Sequence, residues 1–374
     1  MTIRLLHTAD WQLGKPFTRF AGDTGALLRE ARFEVVAALA RLAAEHRVDA
    51  VLVAGDILDN EHSQPGVLRR MVAQLCTFTG PWLLLPGNHD PARPGGLWDR
   101  FRATGDCPEN VHVLDETKPL TLAGGRLVVL PAPLRQKQMA ADPTAGLDGA
   151  GLPSGVCKVG LAHGSVAERL PSGAAAHNPV ALDRAERAGL DYLALGDWHS
   201  CRQIGPRTWY SGTPEPDDYT ASGLGEALLV TIEAPGAPAG VQPLRTGRFA
   251  WRTARLDLGA ACDATALADR LEQVFRDLGP LADTLLRLAL EGSLDLATRA
   301  ALADMLERHA ATLRHLELRD EKLVTVPSEA DLAAFAADPL LATAARRLGA
   351  EDDPIAALAL RLLHDEWRRV EAEA

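Results

Sequence analysis

The chain has no run of 18 apolar residues, although 47% of its 374 residues are hydrophobic, so no membrane-spanning helix is expected. It goes straight into an apolar stretch, Ile3 to Thr8, without a charged lead and cleavage site, and a cytoplasmic location is expected. Cysteine is sparse. Cys76, Cys107, Cys157, Cys201 and Cys262 are odd in number, scattered and without C-x-x-C spacing, which speaks against a disulfide framework or a zinc knuckle and fits a reduced compartment. Cys157, on an expected buried strand, reads as a small core residue. Positive charge is also in deficit: the net charge is −11, and from Trp251 onward 15 basic residues stand against 23 acidic ones. Such a balance argues against a large non-specific duplex-binding face, though Arg93, Arg100 and Arg102 form a local basic stretch. The Gly-rich residues 146–155 lack the Gly-Lys-Ser/Thr ending of a phosphate loop. Gly164-Ser165 follows an expected strand but lacks the Gly-x-Ser-x-Gly pattern of a serine hydrolase.

What the chain does have is a repeated arrangement at the ends of strands. Trp82 to Leu85 is a short apolar run that leads through Pro86 into Gly87-Asn88-His89-Asp90, and such runs read as buried parallel strands. In open α/β sheets the chemistry lies just beyond the carboxyl ends of those strands. The same layout recurs four times. Residues 3–8 run into Ala9-Asp10-Trp11-Gln12, and residues 49–54 into Gly55-Asp56-Ile57-Leu58-Asp59. Residues 156–162 run into His163-Gly164, and residues 190–195 into Gly196-Asp197-Trp198-His199. One such turn is commonplace, whereas five that each deliver a ligand type point to one shared site.

Strands and amphipathic segments alternate in the first half: a helix over 25–45 (Leu27, Leu28, Ala31, Val35, Leu39, Leu42) and another over 65–78. This predicts a parallel sheet covered by helices. Val111 to Leu114, Leu120 to Leu122 and Arg126 to Pro131 are short strands expected to be antiparallel, on the second sheet of a sandwich. Residues 135–155 read as a low-complexity loop. Further short strands are expected at 209–211, 227–232 and 241–244, and a domain boundary near residue 250. Beyond it the pattern is a βαβαβ module over 251–327 and a helical segment over 328–374, whose last helix starts at Asp353-Pro354 with an N-cap and a first-turn proline. Ile355, Leu358, Leu362, Leu363 and Trp367 are expected to share one face there, to pack on the module or to dock a partner.

The residue types suggest a pair of divalent metals, which can clamp a phosphate and its attacking oxygen. Asp56 would bridge the ions. Asp10 and His199, with Gln12 as a neutral oxygen ligand, would complete one shell; Asn88, His163 and Asp197 would complete the other. Mixed oxygen and nitrogen ligation without thiolate suits Mn²⁺, Fe²⁺ or Zn²⁺ better than Mg²⁺. His89 is then free to act as general acid on the leaving oxygen, with Asp90 orienting its ring. His7, Asp59 and Asn60 are candidates for support of the ligands, or for packing and turn roles.

The five strand-end sequences resemble the five motifs of the calcineurin-like metallophosphoesterases. His7-Thr8-Ala9-Asp10-Trp11 is most similar to the SbcD-type DNA repair exonucleases, and Trp209-Tyr210-Ser211-Gly212-Thr213-Pro214 resembles a segment that follows the last motif in that group. The resemblance covers about residues 1–232. It implies a four-layer αββα sandwich over 1–250, a smaller C-terminal α/β capping module, and a Mn²⁺-dependent phosphodiesterase or nuclease acting on DNA. It also implies an SbcC-type coiled-coil ATPase partner and a homodimer. Gln12 stands where the family's first motif, Asp-x-His, has its His, and Asp197 where its last, Gly-His-x-His, has its first His; both departures favour oxygen ligation and hence Mn²⁺ over Zn²⁺. Two alternatives follow from the acidic charge and from these departures: an enzyme acting on a small phosphodiester or phosphomonoester, and a non-catalytic subunit.

Overall fold

The computed structural model describes residues 2–147, 152–169, 177–220, 223–259, 263–351 and 353–373. Cys262 and residues 148–151 of the expected 135–155 loop lie outside the described residues. The chain divides into two compact units, Met1–Ala250 and Trp251–Ala374.

In the first unit the elements are β1 (Ile3–Thr8), α1 (Thr24–Glu45), β2 (Ala50–Val53), α2 (Pro65–Leu75), β3 (Trp82–Leu84), α3 (Leu97–Ala103) and β4 (Val111–Val113). They continue as β5 (Leu120–Leu122), β6 (Leu127–Ala132), β7 (Cys157–His163), α4 (Arg184–Arg187), β8 (Tyr192–Gly196), β9 (Arg202–Gln203), β10 (Thr208–Tyr210), β11 (Glu226–Ile232) and β12 (Gly240–Arg245). One six-stranded sheet has the order β12-β11-β1-β2-β3-β4 and a second has the order β5-β6-β7-β8-β10-β9.

The apolar alternation within these strands explains the layering. Ile3, Leu5, Ala50, Leu52, Leu83, Val129, Val159, Leu161, Tyr192 and Val230 are fully buried and form the core between the sheets. The opposite faces of β1–β3 (Leu6, Val51, Val53, Trp82, Leu84) pack under α1, α2 and α3. The outer face of the second sheet (Val128, Leu130, Leu193, Leu195) meets Ala185, Ala188 and Leu190. The result is the four-layer αββα sandwich.

Val111–Val113 is a correction. It pairs parallel with β3, Trp82 opposite Val111, at the edge of the first sheet rather than antiparallel on the second. The reason is α3, which the sequence pattern does not announce: a helical crossover returns the chain in the parallel sense. Antiparallel pairing of Leu120–Leu122 with Leu127–Val129 does occur on the second sheet, but that sheet is parallel through β6, β7, β8 and β10.

The second unit holds β13 (Ala250–Leu258), α5 (Ala264–Arg276), β14 (Thr284–Leu294), α6 (Leu296–Ala310) and β15 (His315–Thr325), in a three-stranded sheet of order β13-β14-β15. Helices α7 (Glu329–Ala334), α8 (Pro339–Gly349) and α9 (Pro354–Glu373) follow. The Asp353 carboxylate caps α9 by accepting from the Ala356 N–H at 3.2 Å. Its apolar residues do not share one face. Ala356 and Leu360 are buried, with Leu363 and Trp367 packed beside Phe335 and Ala345, while Ile355, Leu358 and Leu362 are exposed. Among the described residues no helix is long and apolar enough to cross a membrane.

Candidate metal centre

The loops after β1, β2 and β3 and the ends of β7 and β8 meet at one edge of the first unit. The Asp10 N–H donates to the Gly55 carbonyl at 3.1 Å and the Gln12 N–H to the Asp56 carbonyl at 2.9 Å, so the first two loops run as a pair. Four of the eight described non-glycine residues with positive φ are here: Asp10 (55°), Gln12 (43°), Asp56 (52°) and Asp197 (104°). Such conformations cost about 1–3 kcal/mol each and persist only where the surroundings impose them. Two glycines permit the close approach. A Cβ on Gly55, at φ +90°, would stand 2.2 Å from His163 Nδ1, and one on Gly87 would stand 2.2 Å from Asp56 Oδ1.

Asp10, Asp56 and His163 are buried, and one ligand atom from each lies within 4.8 Å of the others. His163 Nδ1 donates to the Ala54 carbonyl at 2.8 Å, which turns Nε2 inward. Three oxygens converge on that nitrogen: Asn88 Oδ1 at 2.6 Å, Asp56 Oδ1 at 3.5 Å and Asp197 Oδ1 at 3.8 Å. Acceptors gathered around one nitrogen demand positive charge. Burial opposes a protonated His163, but Asp56, Asp10 and Asp197 together outweigh it and raise the pKa to about 9. Burial lifts Asp10 to about 6 against the pull of His163 and His199. A divalent cation answers the same demand with oxygen and imidazole donors, and these residues fit one. Asp197 is further fixed by the Ser165 hydroxyl, and its N–H lies 3.2 Å from Asp10 Oδ2.

His199 is placed differently. Its Nδ1 donates to Asp217 Oδ1 at 3.1 Å, and the Gln12 amide nitrogen lies 3.2 Å from its Nε2. Burial lowers its pKa, but the Asp217 hydrogen bond and charge prevail and raise it to about 9. Gln12 Oε1 accepts from Lys15 Nζ at 3.0 Å, and Lys15 also pairs with Asp217. Asp217 is buried, yet His199, Arg32 and Lys15 hold its carboxyl well below the usual range. Arg32, buried in α1, donates to the Glu215 carbonyl at 2.8 Å and to Asp217 at 3.4 Å.

His89 is half-buried with Nε2 3.8 Å from Asp56 Oδ2. Its Nδ1 donates to the Asp59 carbonyl at 2.7 Å, so the ring is oriented by the Asp59 backbone and not by Asp90. The Asp90 carboxylate instead accepts the N–H of Gly87 at 2.7 Å and of Leu58 at 3.0 Å; it holds two loops together, and burial raises its pKa to about 7. His7 also lies away from the ligands. It is fully buried between the sheets, with Nδ1 2.9 Å from the Tyr192 hydroxyl and Nε2 3.2 Å from the Leu195 carbonyl. Asn60 serves its turn, with Oδ1 accepting the His62 N–H at 2.9 Å. It also borders a cleft of about 210 Å³ with Asp59, Asn88, His89, Arg93 and Lys137. Of the basic stretch only Arg93 reaches this cleft; Arg102 is paired with Asp99 and Asp115, and Arg100 with backbone carbonyls.

Lys15, Arg32, Ser165 and Asp217 were not visible from the motifs. The one hint was that Asp217 follows closely on the Trp209–Pro214 segment.

The chain matches the family described as calcineurin-like phosphoesterase over residues 3–201. It is 24% identical, over 86% of its length and 80% of the relative's, to an uncharacterized metallophosphoesterase, YhaO, of Bacillus subtilis. It is 29% identical, over 72% of its length and 77% of the relative's, to a subunit of nuclease SbcCD of Rhodobacter capsulatus.

Proposed function

From the premise that this chain belongs to the calcineurin-like phosphoesterase family, we propose that it is a phosphodiesterase that cleaves DNA with two divalent ions, Mn²⁺ the best suited. The observation that carries the reading is the convergence of Asp10, Asp56 and His163, three buried ligands within 4.8 Å, beside a half-exposed His89. When bound, divalent ions supply Lewis-acid activation of a phosphoryl group and of water. On this reading Asp56 would be shared, with Asn88, His163 and Asp197 holding one ion and Asp10, His199 and Gln12 the other.

The chain's own part is to position and to move protons. His89 gives its Nδ1–H to the Asp59 carbonyl, so a proton on Nε2 makes the ring cationic and lies toward the centre. There it can pass to a departing oxygen, a role typically worth 10²–10⁴-fold. Arg93 and Lys137 border the adjoining cleft and suit the next phosphate of a strand. The nuclease reading draws on the relative named as part of nuclease SbcCD, and so does a proposed ATPase partner of SbcC type. Under this reading residues 1–250 are the catalytic domain, 251–327 a capping module and 328–374 its helical extension.

A second reading, a small phosphodiester as substrate, is favoured by the 210 Å³ cleft and the net charge of −11. The test is Mn²⁺-dependent cleavage of labelled single- and double-stranded DNA beside a bis-aryl phosphodiester, with His89→Ala and Asp56→Ala. DNA cleavage lost in both variants is the expected result. Turnover of the aryl ester alone would move the substrate to the second reading, and turnover of neither would leave a non-catalytic subunit.

A further inference from the structure

We propose that the two ion positions are unequal: the Asp56–Asn88–His163 position binds tightly, whereas the Gln12–His199 position is held closed by Lys15. This rests on the metallophosphoesterase reading and adds which half fills first and what controls the other.

Four side chains form a closed ring. Lys15 Nζ donates to Gln12 Oε1 at 3.0 Å, the Gln12 amide nitrogen lies 3.2 Å from His199 Nε2, His199 Nδ1 donates to Asp217 Oδ1 at 3.1 Å, and Lys15 pairs with Asp217. An ammonium has donors and no acceptor, so it fixes which end of the amide faces it. Gln12 Oε1 is thereby engaged by Lys15, and His199 Nε2 faces the Gln12 amide nitrogen at 3.2 Å. For an ion to use Oε1 the amide must rotate, and its NH₂ would then face the ammonium, donor against donor. The ammonium charge also repels a dication.

The backbone cannot relieve this. Gln12 is held at φ 43°, its N–H donates to Asp56, and its carbonyl accepts from buried Arg32 at 3.4 Å. The other half has the opposite character. Asp56, Asn88 and Asp197 surround His163 Nε2 with oxygens, and among the described residues no ion pair joins a lysine or arginine to these acceptors. Lys15 is not needed to neutralise Asp217, since Arg32 lies 3.4 Å from the same carboxylate. Its position across Gln12 is therefore separable from the fold.

The test is calorimetric titration of the full chain with Mn²⁺, with the Mn²⁺ spin-resonance spectrum recorded at one and two equivalents. Wild type should bind in two steps, the first about tenfold tighter or more, with an isolated-ion spectrum at one equivalent. Lys15→Met and, independently, Gln12→His should draw the second step toward the first and give an exchange-coupled spectrum at two equivalents. A single step filling both positions in wild type overturns the proposal, as does an unshifted second step in Lys15→Met. Failure of wild type to bind Mn²⁺ at all would overturn the metallophosphoesterase reading itself, a result distinct from either.

Discussion

Asp90 shows how a residue in a catalytic-looking motif can act through the backbone. Its two carboxylate oxygens accept one N–H each from Gly87 and Leu58, and its own carbonyl accepts from Trp98 Nε1 at 2.6 Å. Asparagine at this position keeps one acceptor and turns an NH₂ on the other amide, donor against donor. Asp90→Asn should therefore lower the stability of the metal-free protein by about 1–3 kcal/mol, read as a lower midpoint in urea. An unchanged midpoint with an altered pH profile of turnover would return Asp90 to the His89 ring. The distinction was hidden in the sequence, where Asp90 adjoins His89 and the Leu58 amide it serves is 32 residues away. The convergence of Asp10, Asp56 and His163 was legible, because an aspartate or a glycine directly after an apolar run is a local signal. The Lys15–Asp217 arm of the Gln12 ring depends on a chain return that no local pattern announces.

At the scale of elements, what was legible followed from period and length. The strands β1, β2 and β3 and the helix α1 are long or apolar enough to declare themselves. Three-residue β4 is not, and seven-residue α3, bounded by Gly96 and Thr104, is too short to show a period. In α9 two apolar stripes run side by side, so the pattern alone could not say that Leu360 is buried and Leu362 exposed. His7 belongs at this scale because it ties β1 to β8 across the two sheets. Burial drives its pKa from 6.5 down to about 3, with the Leu195 carbonyl opposing. The folded ring stays neutral while the unfolded one takes up a proton below 6.5. The stability this represents is thus complete above 6.5 and is lost as pH falls toward 3, at up to about 1.4 kcal/mol per pH unit. Near pH 5 the loss is about 2 kcal/mol. His7→Gln, which hydrogen-bonds without titrating, should flatten the stability–pH curve between about pH 4 and 6. Parallel curves for the two proteins would mean that His7 is protonated in the fold.

For the whole molecule the deciding quantity is charge. Strong attachment to DNA comes from cations that displace condensed counterions, and log K falls with log[salt] by about 0.9 per phosphate contacted. This chain carries a net charge of −11. Beside His89 the cleft offers Arg93, which is paired with Glu61 at 3.1 Å, and Lys137. Two cations there allow about two phosphate contacts, so log(1/KM) for DNA should fall against log[salt] with a slope near −2. A bis-aryl probe of the same centre carries a single phosphate and should show a slope no steeper than about −1. Measuring both between low and moderate salt separates contacts made by the chain from those made by a partner. A slope for DNA near −6 or steeper would require a basic tract beyond these two side chains. Lys137→Ala should make the DNA slope shallower by about one and leave that of the aryl ester unchanged. If neither slope moves, the phosphate next to the reacting one lies outside this cleft, and the strand leaves the centre by another side.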